Sequence, residues 1–351
     1  MTTGSDGDLI QRALQAYDLG PLQAFRHHTG TAAKTWRLTT ASGEYLLRTR
    51  GSRTAAADLI AYDHALRRHL LAAGIPTAAP LATRDDMTCV WVGDKAFEVY
   101  TIVPGVTLPA AGPAEIAAAA RALAAFHAAT ASFPLAHALP PVAQYRTLGL
   151  EQTSRRMEDP VLLGRLYDGL SASPGAAAHA AALTLAHAWL DRLRRHFDNA
   201  VYEGLPHTVT HGDFTLANLL FLNGQVSGIF DFDWARWAPR LRDLADGMFF
   251  ISGQRRTPLV AADIWSLTEA AEMSVARCAH WLRSYESCAP LTDAELASLP
   301  LALAARWLSV RVEGMAKVPL AERLRFALGN LAAPLVWLDA HWPEVLGARH
   351  V

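Results

Sequence analysis

The chain has 351 residues, 51% of them hydrophobic, and its 32 basic residues nearly balance 33 acidic ones, for a formal net charge of −1. This balance gives no basic surface for nucleic acid and no acidic excess for a polycationic ligand, while the length suits a two-lobed enzyme with a large core. Because the first residues lack a secretory pattern and no apolar run could span a bilayer, we expect a cytoplasmic protein with neither a membrane nor a nucleic-acid partner.

The first hundred residues have the pattern of a small β-rich lobe. Alternating apolar residues predict a hairpin over 35–49, an amphipathic helix over 59–73 that ends at Gly74, and two strands around the turn Gly93-Asp94. Pro104-Gly105 ends this pattern. We therefore predict a first lobe of residues 1–103 and a second lobe of residues 104–351.

The second lobe reads as mainly helical. Helical periodicity predicts helices over 113–129, 179–197, 260–287, 292–317 and 320–342, and Thr292 with Glu295 has the spacing of a capping box. Residues 131–160 are rich in proline and irregular, which favours contacts specific to a substrate. Cys89, Cys278 and Cys288 lack metal-ligand spacing, so we expect reduced thiols.

The segment HGDFTLAN over 211–218, followed by IFDFD over 229–233, carries the strongest chemical signal. Asp213 suits the residue that orients a hydroxyl and accepts its proton, and Asn218 with Asp231 suits the ligands of the Mg²⁺ that screens a nucleotide triphosphate. The turn Asn223-Gly224 between two apolar runs predicts a hairpin that brings both metal ligands to one end. No Walker A, GxSxG, EF-hand or helical HxxxH zinc pattern competes with this interpretation.

These motifs resemble the aminoglycoside phosphotransferase and choline kinase family, whose members have a protein-kinase-like fold. The resemblance covers nearly the whole chain and is closest over 208–247. It implies an α+β bilobal fold, with a small β-rich N-terminal lobe and a larger, mainly helical C-terminal lobe. It also implies Mg²⁺, ATP or GTP as the phosphate donor, and a small-molecule alcohol as the substrate.

The same resemblance implies nucleotide contacts in the first lobe. Arg48 stands where the family's third strand carries a phosphate-binding lysine, and Asp63 stands where the following helix carries its acidic partner, with Asp58 as the alternative. The segment 30–36 corresponds to the phosphate-covering turn, with Lys34 as an added cation, or is an ordinary hairpin loop. Backbone groups from Thr101 to Val103 are expected to face adenine.

Further residues are implied to act around the catalytic loop. His211 and Asp243 are expected to support that loop, with Asp243 also capping a helix. Asp233 either points toward the substrate or supports the metal-binding segment. Arg255 and Arg256 either bind an anionic or polar acceptor or form a solvated basic pair.

The acceptor most favoured by this reading is a hydroxyl of an antibiotic or another natural product, in resistance or biosynthesis. A metabolic alcohol of homoserine, choline or sugar type is the alternative, since the stretch 232–245 also resembles the type II homoserine kinase branch. A second alternative is a nucleotide-binding pseudokinase, suggested by Arg48 and Asp63 where the family usually has lysine and glutamate. Asp213, Asn218 and Asp231 together favour an enzyme.

Overall fold

The structure is a computed structural model that describes residues 4–28, 34–50, 55–139, 142–143, 145–150, 152–154, 156–255, 257, 263–269 and 271–350. Its helices are α1 (Gly4–Leu14), α2 (Ala57–Ala72), α3 (Pro113–Thr130), α4 (Pro160–Ser171), α5 (Ala180–His196), α6 (Asn199–Gly204), α7 (Leu241–Gly247), α8 (Val275–Glu286), α9 (Asp293–Gly314), α10 (Arg323–Leu328) and α11 (Ala332–Ala348). Its strands are β1 (Leu22–His28), β2 (Thr35–Thr40), β3 (Gly43–Thr49), β4 (Val90–Val92), β5 (Lys95–Thr101), β6 (Val142–Ala143), β7 (Thr153–Ser154), β8 (His207–Thr210), β9 (Leu219–Leu222), β10 (Gln225–Ile229) and β11 (Arg236–Pro239). None of the helices in these ranges is both long and apolar enough to cross a bilayer.

The N-terminal part is a five-stranded antiparallel sheet in the order β1-β2-β3-β5-β4. Helix α1 packs near β4. Residues of α1 and of the sheet form an apolar core around Trp36, Leu47 and Phe97, which is separate from the core of the helical part. This sheet with the helix-rich remainder confirms the predicted α+β bilobal fold. The predicted hairpin over 35–49 is confirmed, because β2 and β3 pair from Thr35 with Arg48 to Thr40 with Gly43.

The helical part surrounds one large core in which α3 packs on α8, α4 on α5, and α7 on α9. Helix α9 begins with the predicted capping box, since Thr292 Oγ1 accepts from the Glu295 N–H at 3.2 Å and Glu295 Oε2 accepts from the Thr292 N–H at 2.8 Å. The single helix predicted over 320–342 is wrong. Helices α10 and α11 are separate because the chain turns at Gly329-Asn330, where Asn330 has a φ of 55°.

Three short antiparallel pairs lie outside the main sheet: β9 with β10, β8 with β11, and β6 with β7. The predicted hairpin over β9 and β10 is confirmed, and Asn223 and Gly224 have φ values of 52° and 74°, as a two-residue hairpin turn requires. Strand β8 leads into the catalytic segment, and β11 follows the second aspartate-rich segment. The two motifs are therefore neighbours in space.

Candidate active site

The catalytic loop begins at Gly212, which lies directly against the segment 231–234. Strands β8 and β11 pair Thr210 with Arg236, so the two segments leave adjacent strand ends. Gly212 has a φ of +82°, and a Cβ atom there would lie 2.4 Å from the Trp234 carbonyl oxygen. Only glycine combines that backbone conformation with so close an approach.

His211 joins the two segments with a single imidazole ring. Its Nε2 lies 2.8 Å from the Phe230 carbonyl oxygen, and its Nδ1 lies 3.2 Å from the Asp213 backbone nitrogen. A neutral ring protonated on Nε2 donates to the carbonyl and accepts from the amide, so this tautomer satisfies both contacts. His211 is fully buried, and this arrangement fits the supporting role implied for it.

Asp243 holds the start of the catalytic loop through two backbone amides. Its Oδ2 accepts from the His211 N–H at 2.6 Å, and its Oδ1 accepts from the Gly212 N–H at 2.8 Å. His127 Nε2 donates to Oδ2 at 3.0 Å, and His127 Nδ1 lies 2.8 Å from the Tyr285 hydroxyl. Burial raises the pKa of Asp243, but His127, His211 and the Gly212 amide outweigh it and hold the pKa below its usual value.

The helix-capping part of the expectation for Asp243 is wrong. The residue lies inside the first turn of α7, after Arg240 at the N-cap position, and both of its carboxylate oxygens accept hydrogen bonds from the catalytic loop. Its oxygens are taken by amides of another segment, so they do not satisfy the amides of its own helix.

Asp213 is oriented by groups on both sides of its carboxylate. Asn218 Nδ2 donates to Asp213 Oδ2 at 2.9 Å and to the Asp213 carbonyl oxygen at 2.8 Å. Arg306 of α9 places its Nη2 3.8 Å from Asp213 Oδ1. The Asp213 side chain is 36% exposed, so it is held in place and still open to the cleft.

Asn218 and Asp231 stand at the same end of the β9–β10 hairpin. Leu219 pairs with Ile229, and the Phe230 N–H donates to the Asn218 carbonyl oxygen at 3.0 Å. Asn218 uses its amide nitrogen on Asp213, which directs its amide oxygen away from that contact and makes it a suitable oxygen ligand. Asp231 has a left-handed backbone, with a φ of 64°, a conformation that aspartate tolerates better than most residues.

The Asp231 carboxylate is in an environment that opposes its charge. Burial and the neighbouring Asp233 and Asp213 raise the pKa of Asp231, although Arg48 and His211 act in the opposite direction. A bound divalent cation would relieve this repulsion. The Asn218 amide oxygen and the Asp231 carboxylate are oxygen donors of the kind that Mg²⁺ prefers, so these residues fit a magnesium ion chemically.

Two arginines of the first lobe, Arg48 in β3 and Arg50 just after its end, contact the metal segment. Arg48 Nη2 lies 2.7 Å from Asp233 Oδ2 and 3.4 Å from Asp231 Oδ1. Arg50 Nη1 lies 2.9 Å from Asp233 Oδ1. Asp233 therefore uses both carboxylate oxygens to connect the metal segment to β3, an arrangement that supports the loop.

Asp63 rather than Asp58 lies in this cluster. Asp63 is buried, hydrogen-bonded to Arg50, and 2.7 Å from Arg67 Nε, whereas its distance to Arg48 Nη1 is 4.0 Å. The direct partner of the helix acid is thus Arg50, which also contacts both carboxylate oxygens of Glu98 at 3.0 Å. Arg50 was not among the residues selected from the sequence. Its signal was its position two residues after Arg48, the spacing that places two side chains on one face of an extended chain.

The segment between the lobes crosses the β9–β10 hairpin. Val106 and Phe221 exchange backbone hydrogen bonds of 3.0 and 2.8 Å, and Ser227 Oγ donates to the Pro104 carbonyl oxygen at 2.6 Å. The Thr101 N–H donates to the Ala79 carbonyl oxygen at 3.0 Å, so this amide is occupied. Within the described ranges no hydrogen bond engages the Val103 backbone, which leaves Val103 as the better candidate for contacting adenine.

Lys34 and Arg255 have their described contacts away from the metal segment. The ammonium group of Lys34 is 3.5 Å from Asp6 of α1, and both line a cavity of about 120 Å³ with Lys95 and Phe97. Arg255 donates to the carbonyl oxygens of Ser266 and Glu269 at 3.0 and 3.2 Å. Arg256 and residues 30–33 of the predicted phosphate-covering turn lie outside the described residues.

The fold and the arrangement of the site define the class of protein, a kinase of small molecules. The model of the phosphotransferase enzyme family (APH) matches residues 26–291. The chain belongs to this phosphotransferase family, and the recognition made from its motifs is confirmed.

Two similar proteins are named homoserine kinase. The one from Rhodopseudomonas palustris (strain BisA53) is 27% identical over 316 residues, which cover 89% of this chain and 86% of that protein. The one from Gluconacetobacter diazotrophicus (strain ATCC 49037) is 29% identical over 326 residues, covering 91% of this chain and 89% of that protein. The similarity therefore extends through both lobes.

Solved structures with a similar fold include a microcompartment-associated aminopropanol kinase, with a TM-score of 0.67, 18% identity, and coverage of 97% of this chain and 98% of that one. An amicoumacin kinase in complex with AMP-PNP and Ca²⁺ has a TM-score of 0.63 and 16% identity, covering 98% and 96%. At these identities the likeness establishes the fold. The family match, with the relatives named homoserine kinase, makes the chain a small-molecule kinase.

Proposed function

We propose that this protein transfers the γ-phosphoryl group of Mg-ATP to the hydroxyl of a small polar alcohol, with homoserine as the first candidate acceptor. The observation that carries the proposal is the arrangement around Asp213. Its carboxylate is held by the Asn218 amide and lies beside the metal segment, yet it remains open to the cleft. This is the arrangement that a phosphoryl transfer to a hydroxyl requires.

In this proposal Asp213 accepts the hydroxyl proton as the acceptor oxygen attacks the γ-phosphorus atom. The bond from that phosphorus to the β,γ-bridging oxygen breaks, and ADP leaves with the bonding electrons. The Asn218 amide keeps one Asp213 oxygen fixed, so the other is free to face the acceptor. His211 and Asp243 keep the loop in the same place without touching the reacting atoms.

Asn218 and Asp231 are the proposed ligands of Mg²⁺. When bound, the metal ion screens the triphosphate and offsets the charge that develops in the transition state. Arg48 is the proposed phosphate contact, because its guanidinium reaches the metal segment and carries a permanent charge. Arg50 keeps β3, α2 and Asp233 together, which positions Arg48.

The similarity to two proteins named homoserine kinase, over nearly nine-tenths of each chain, supports a primary-metabolite hydroxyl as the acceptor. This reverses the order of the sequence-based alternatives, which ranked an antibiotic or natural-product hydroxyl first. The latter stays as the second candidate, because structures of this fold include an amicoumacin kinase. A pseudokinase role is not supported by the family match and the complete Asp213, Asn218 and Asp231 set.

Mass spectrometry of the purified protein with homoserine, pooled antibiotics, choline and sugars tests the proposal. Each is incubated with Mg-ATP and, separately, Mg-GTP, and a gain of about 80 Da in the acceptor reports phosphorylation. Asp213→Asn should lower the turnover number by about 100-fold or more, while Asp168→Asn, at a side chain that is 68% exposed, should leave it unchanged. Full turnover by Asp213→Asn would remove Asp213 from the role of base.

A further inference from the structure

One face of α9 forms a wall beside the catalytic aspartate. Arg306, Ser309 and Glu313 recur three and seven residues along the helix, so they share this face. Arg306 extends toward Asp213, with Nη2 3.8 Å from Asp213 Oδ1. The same guanidinium has its Nη1 3.8 Å from Glu313 Oε2. One buried arginine therefore lies between the proposed base and a second carboxylate.

Glu313 has one anchored oxygen and one that is not anchored. Its Oε1 accepts a hydrogen bond from Ser309 Oγ at 2.9 Å, and Ser309 Oγ lies 3.0 Å from the Tyr145 hydroxyl. Ser309 and Tyr145 are buried, while the Glu313 side chain is 28% exposed. In the described part of the chain, Oε2 has no hydrogen-bond donor, and its nearest recorded cation is Arg306. Because the side chain is partly exposed, Oε2 is the oxygen left for a ligand.

Arg306 is built into the protein and does not simply neutralise Glu313. Its side chain is 5% exposed, and its Nε donates to Asp246 Oδ1 at 2.5 Å. Its Nη1 is buried and has no hydrogen-bond acceptor within the described residues. A buried guanidinium nitrogen without an acceptor is costly, so a small shift that brings Glu313 Oε2 from 3.8 Å into hydrogen-bonding distance of Nη1 would be favourable. A ligand that draws Glu313 into a fixed position beside Nη1 would favour that shift.

The net charge of the side chains around Arg306 favours a cationic ligand. Four carboxylates, those of Glu158, Asp213, Asp246 and Glu313, surround two guanidiniums, those of Arg242 and Arg306. Burial raises the pKa of Asp246 to about 7, against the opposing effect of both arginines. Even with Asp246 protonated, the carboxylates outnumber the cations, so an acceptor with only a negative charge would be repelled.

The distance between the Asp213 and Glu313 carboxylates suits a short amino alcohol. The two guanidinium nitrogens of Arg306 are about 2.3 Å apart, so Asp213 Oδ1 and Glu313 Oε2 are at most about 10 Å apart. A three-carbon amino alcohol spans about 5 Å from oxygen to nitrogen, and a hydrogen bond of about 2.8 Å at each end brings its greatest reach to about 11 Å. One such molecule can reach both carboxylates.

We propose that Glu313 binds a protonated amine of the acceptor while Asp213 engages its hydroxyl, which makes Glu313 the residue that selects amino alcohols. The inference rests on the proposed function and specifies the chemical group that the site recognises. The proposal concerns the amine and the hydroxyl only, and it assigns no residue of the protein to a carboxylate of the acceptor. An amine three carbons from the hydroxyl is sufficient, with or without a carboxylate.

Four acceptors test this selection, since they differ only in the amine and the carboxylate. Homoserine carries both groups, 3-amino-1-propanol carries the amine alone, 4-hydroxybutyrate carries the carboxylate alone, and 1-propanol carries neither. We expect kcat/KM to be at least tenfold higher for each acceptor with the amine than for its counterpart without it. Equal or better use of 4-hydroxybutyrate than of 3-amino-1-propanol would overturn the inference while leaving the proposed phosphoryl transfer intact.

Glu313→Gln removes the charge and keeps an oxygen that can accept from Ser309. The variant should lower kcat/KM for both amines at least tenfold, mainly through KM. It should leave 1-propanol and the KM for ATP unchanged and should not lower kcat/KM for 4-hydroxybutyrate, whose repulsion it reduces. Glu203→Gln, at a side chain that is 63% exposed, is the matched control and should match the wild type. An equal loss with all four acceptors would indicate a structural effect and would contradict the assignment.

Calorimetric binding of the same four compounds, with Mg²⁺ and AMP-PNP present, separates the inference from the proposed function. Binding that requires the amine and is abolished by Glu313→Gln would support the inference. If such binding were found but no acceptor were phosphorylated, only the proposed function would fail. Binding that is indifferent to the amine, or no binding of any of the four, would overturn the inference.

Discussion

Replacing Asp243 with asparagine should both destabilise the protein and slow catalysis. Both carboxylate oxygens accept from N–H groups: Oδ1 from Gly212, and Oδ2 from His211 and His127. An asparagine has only one oxygen, so in either orientation its NH₂ group faces a backbone N–H. The site is fully buried, and water cannot replace the lost acceptor.

The expected cost of Asp243→Asn is about 3 to 5 kcal/mol in the free energy of unfolding, the usual result of removing one partner from a buried charged network. The loop that carries Asp213 would also shift, and a displacement of about 1 Å at a catalytic group lowers the turnover number by about 100-fold. Urea unfolding and steady-state turnover measure the two effects. Asp168→Asn, on an exposed part of α4, is the control.

The pH dependence gives an independent check on Asp243. Because its pKa is lowered in the folded state, the carboxylate contributes stability above the unfolded value of about 4, and this contribution is lost as the pH falls through the lower folded-state pKa. The stability difference between the wild type and Asp243→Asn should therefore narrow below about pH 4. A variant within about 0.5 kcal/mol of the wild type at pH 7, with normal turnover, would refute this account of the loop.

Three further predictions follow from the same contacts. Gly212→Ala should lower the free energy of unfolding by about 1 to 3 kcal/mol and remove most of the activity, because the backbone is left-handed there and the new Cβ would meet the Trp234 carbonyl oxygen. A melting temperature and a turnover number equal to those of the wild type would contradict this. Arg50→Met should cost about 3 to 5 kcal/mol by leaving Glu98 and Asp63 with fewer cations. Arg37→Met, at a half-buried side chain paired with the exposed Glu44, should cost little. Equal denaturation midpoints for the two variants would exclude Arg50 as the centre of the cluster. Because the pKa of Asp246 is raised to about 7, the folded state binds more protons than the unfolded state, and this contribution to stability is lost as the pH rises from about 4 to about 7. Between pH 5.5 and pH 8, the free energy of unfolding of the wild type should fall by about 1 to 2 kcal/mol more than that of Asp246→Asn. Equal falls in the two proteins would contradict this prediction.

The catalytic loop and the metal hairpin were predictable because their determinants are local. Asn223-Gly224 specifies a two-residue turn, and the strands on either side are short and apolar, so the proximity of Asn218 and Asp231 follows from the chain itself. The fold class followed from the same motifs together with the change from strand to helix patterns near Pro104. The boundary between two lobes at residues 103 and 104 stays a prediction.

The basic residues around the site were harder to predict, because their partners depend on contacts between distant segments. Arg48 in β3 and Arg50 just after it are two residues apart, and no local pattern decides which of them pairs directly with Asp63. Lys34 also has a partner that the sequence did not indicate, and its phosphate contact stays a prediction. Its sequence neighbours favour a phosphate contact, but helix α1, which was not predicted, supplies Asp6 as its partner.

The acceptor side of the site shows why substrate class is the last property that a sequence reveals. Arg306 and Glu313 look like ordinary charges on a long helix, and their relation to Asp213 arises only when α9 packs on α7. That packing buries Arg306 and leaves the Glu313 side chain partly exposed. Transfer chemistry is thus encoded in a short motif, whereas acceptor choice depends on where a distant helix places two side chains. Exchanging Glu313 should therefore change which alcohol is used without changing how phosphate is transferred.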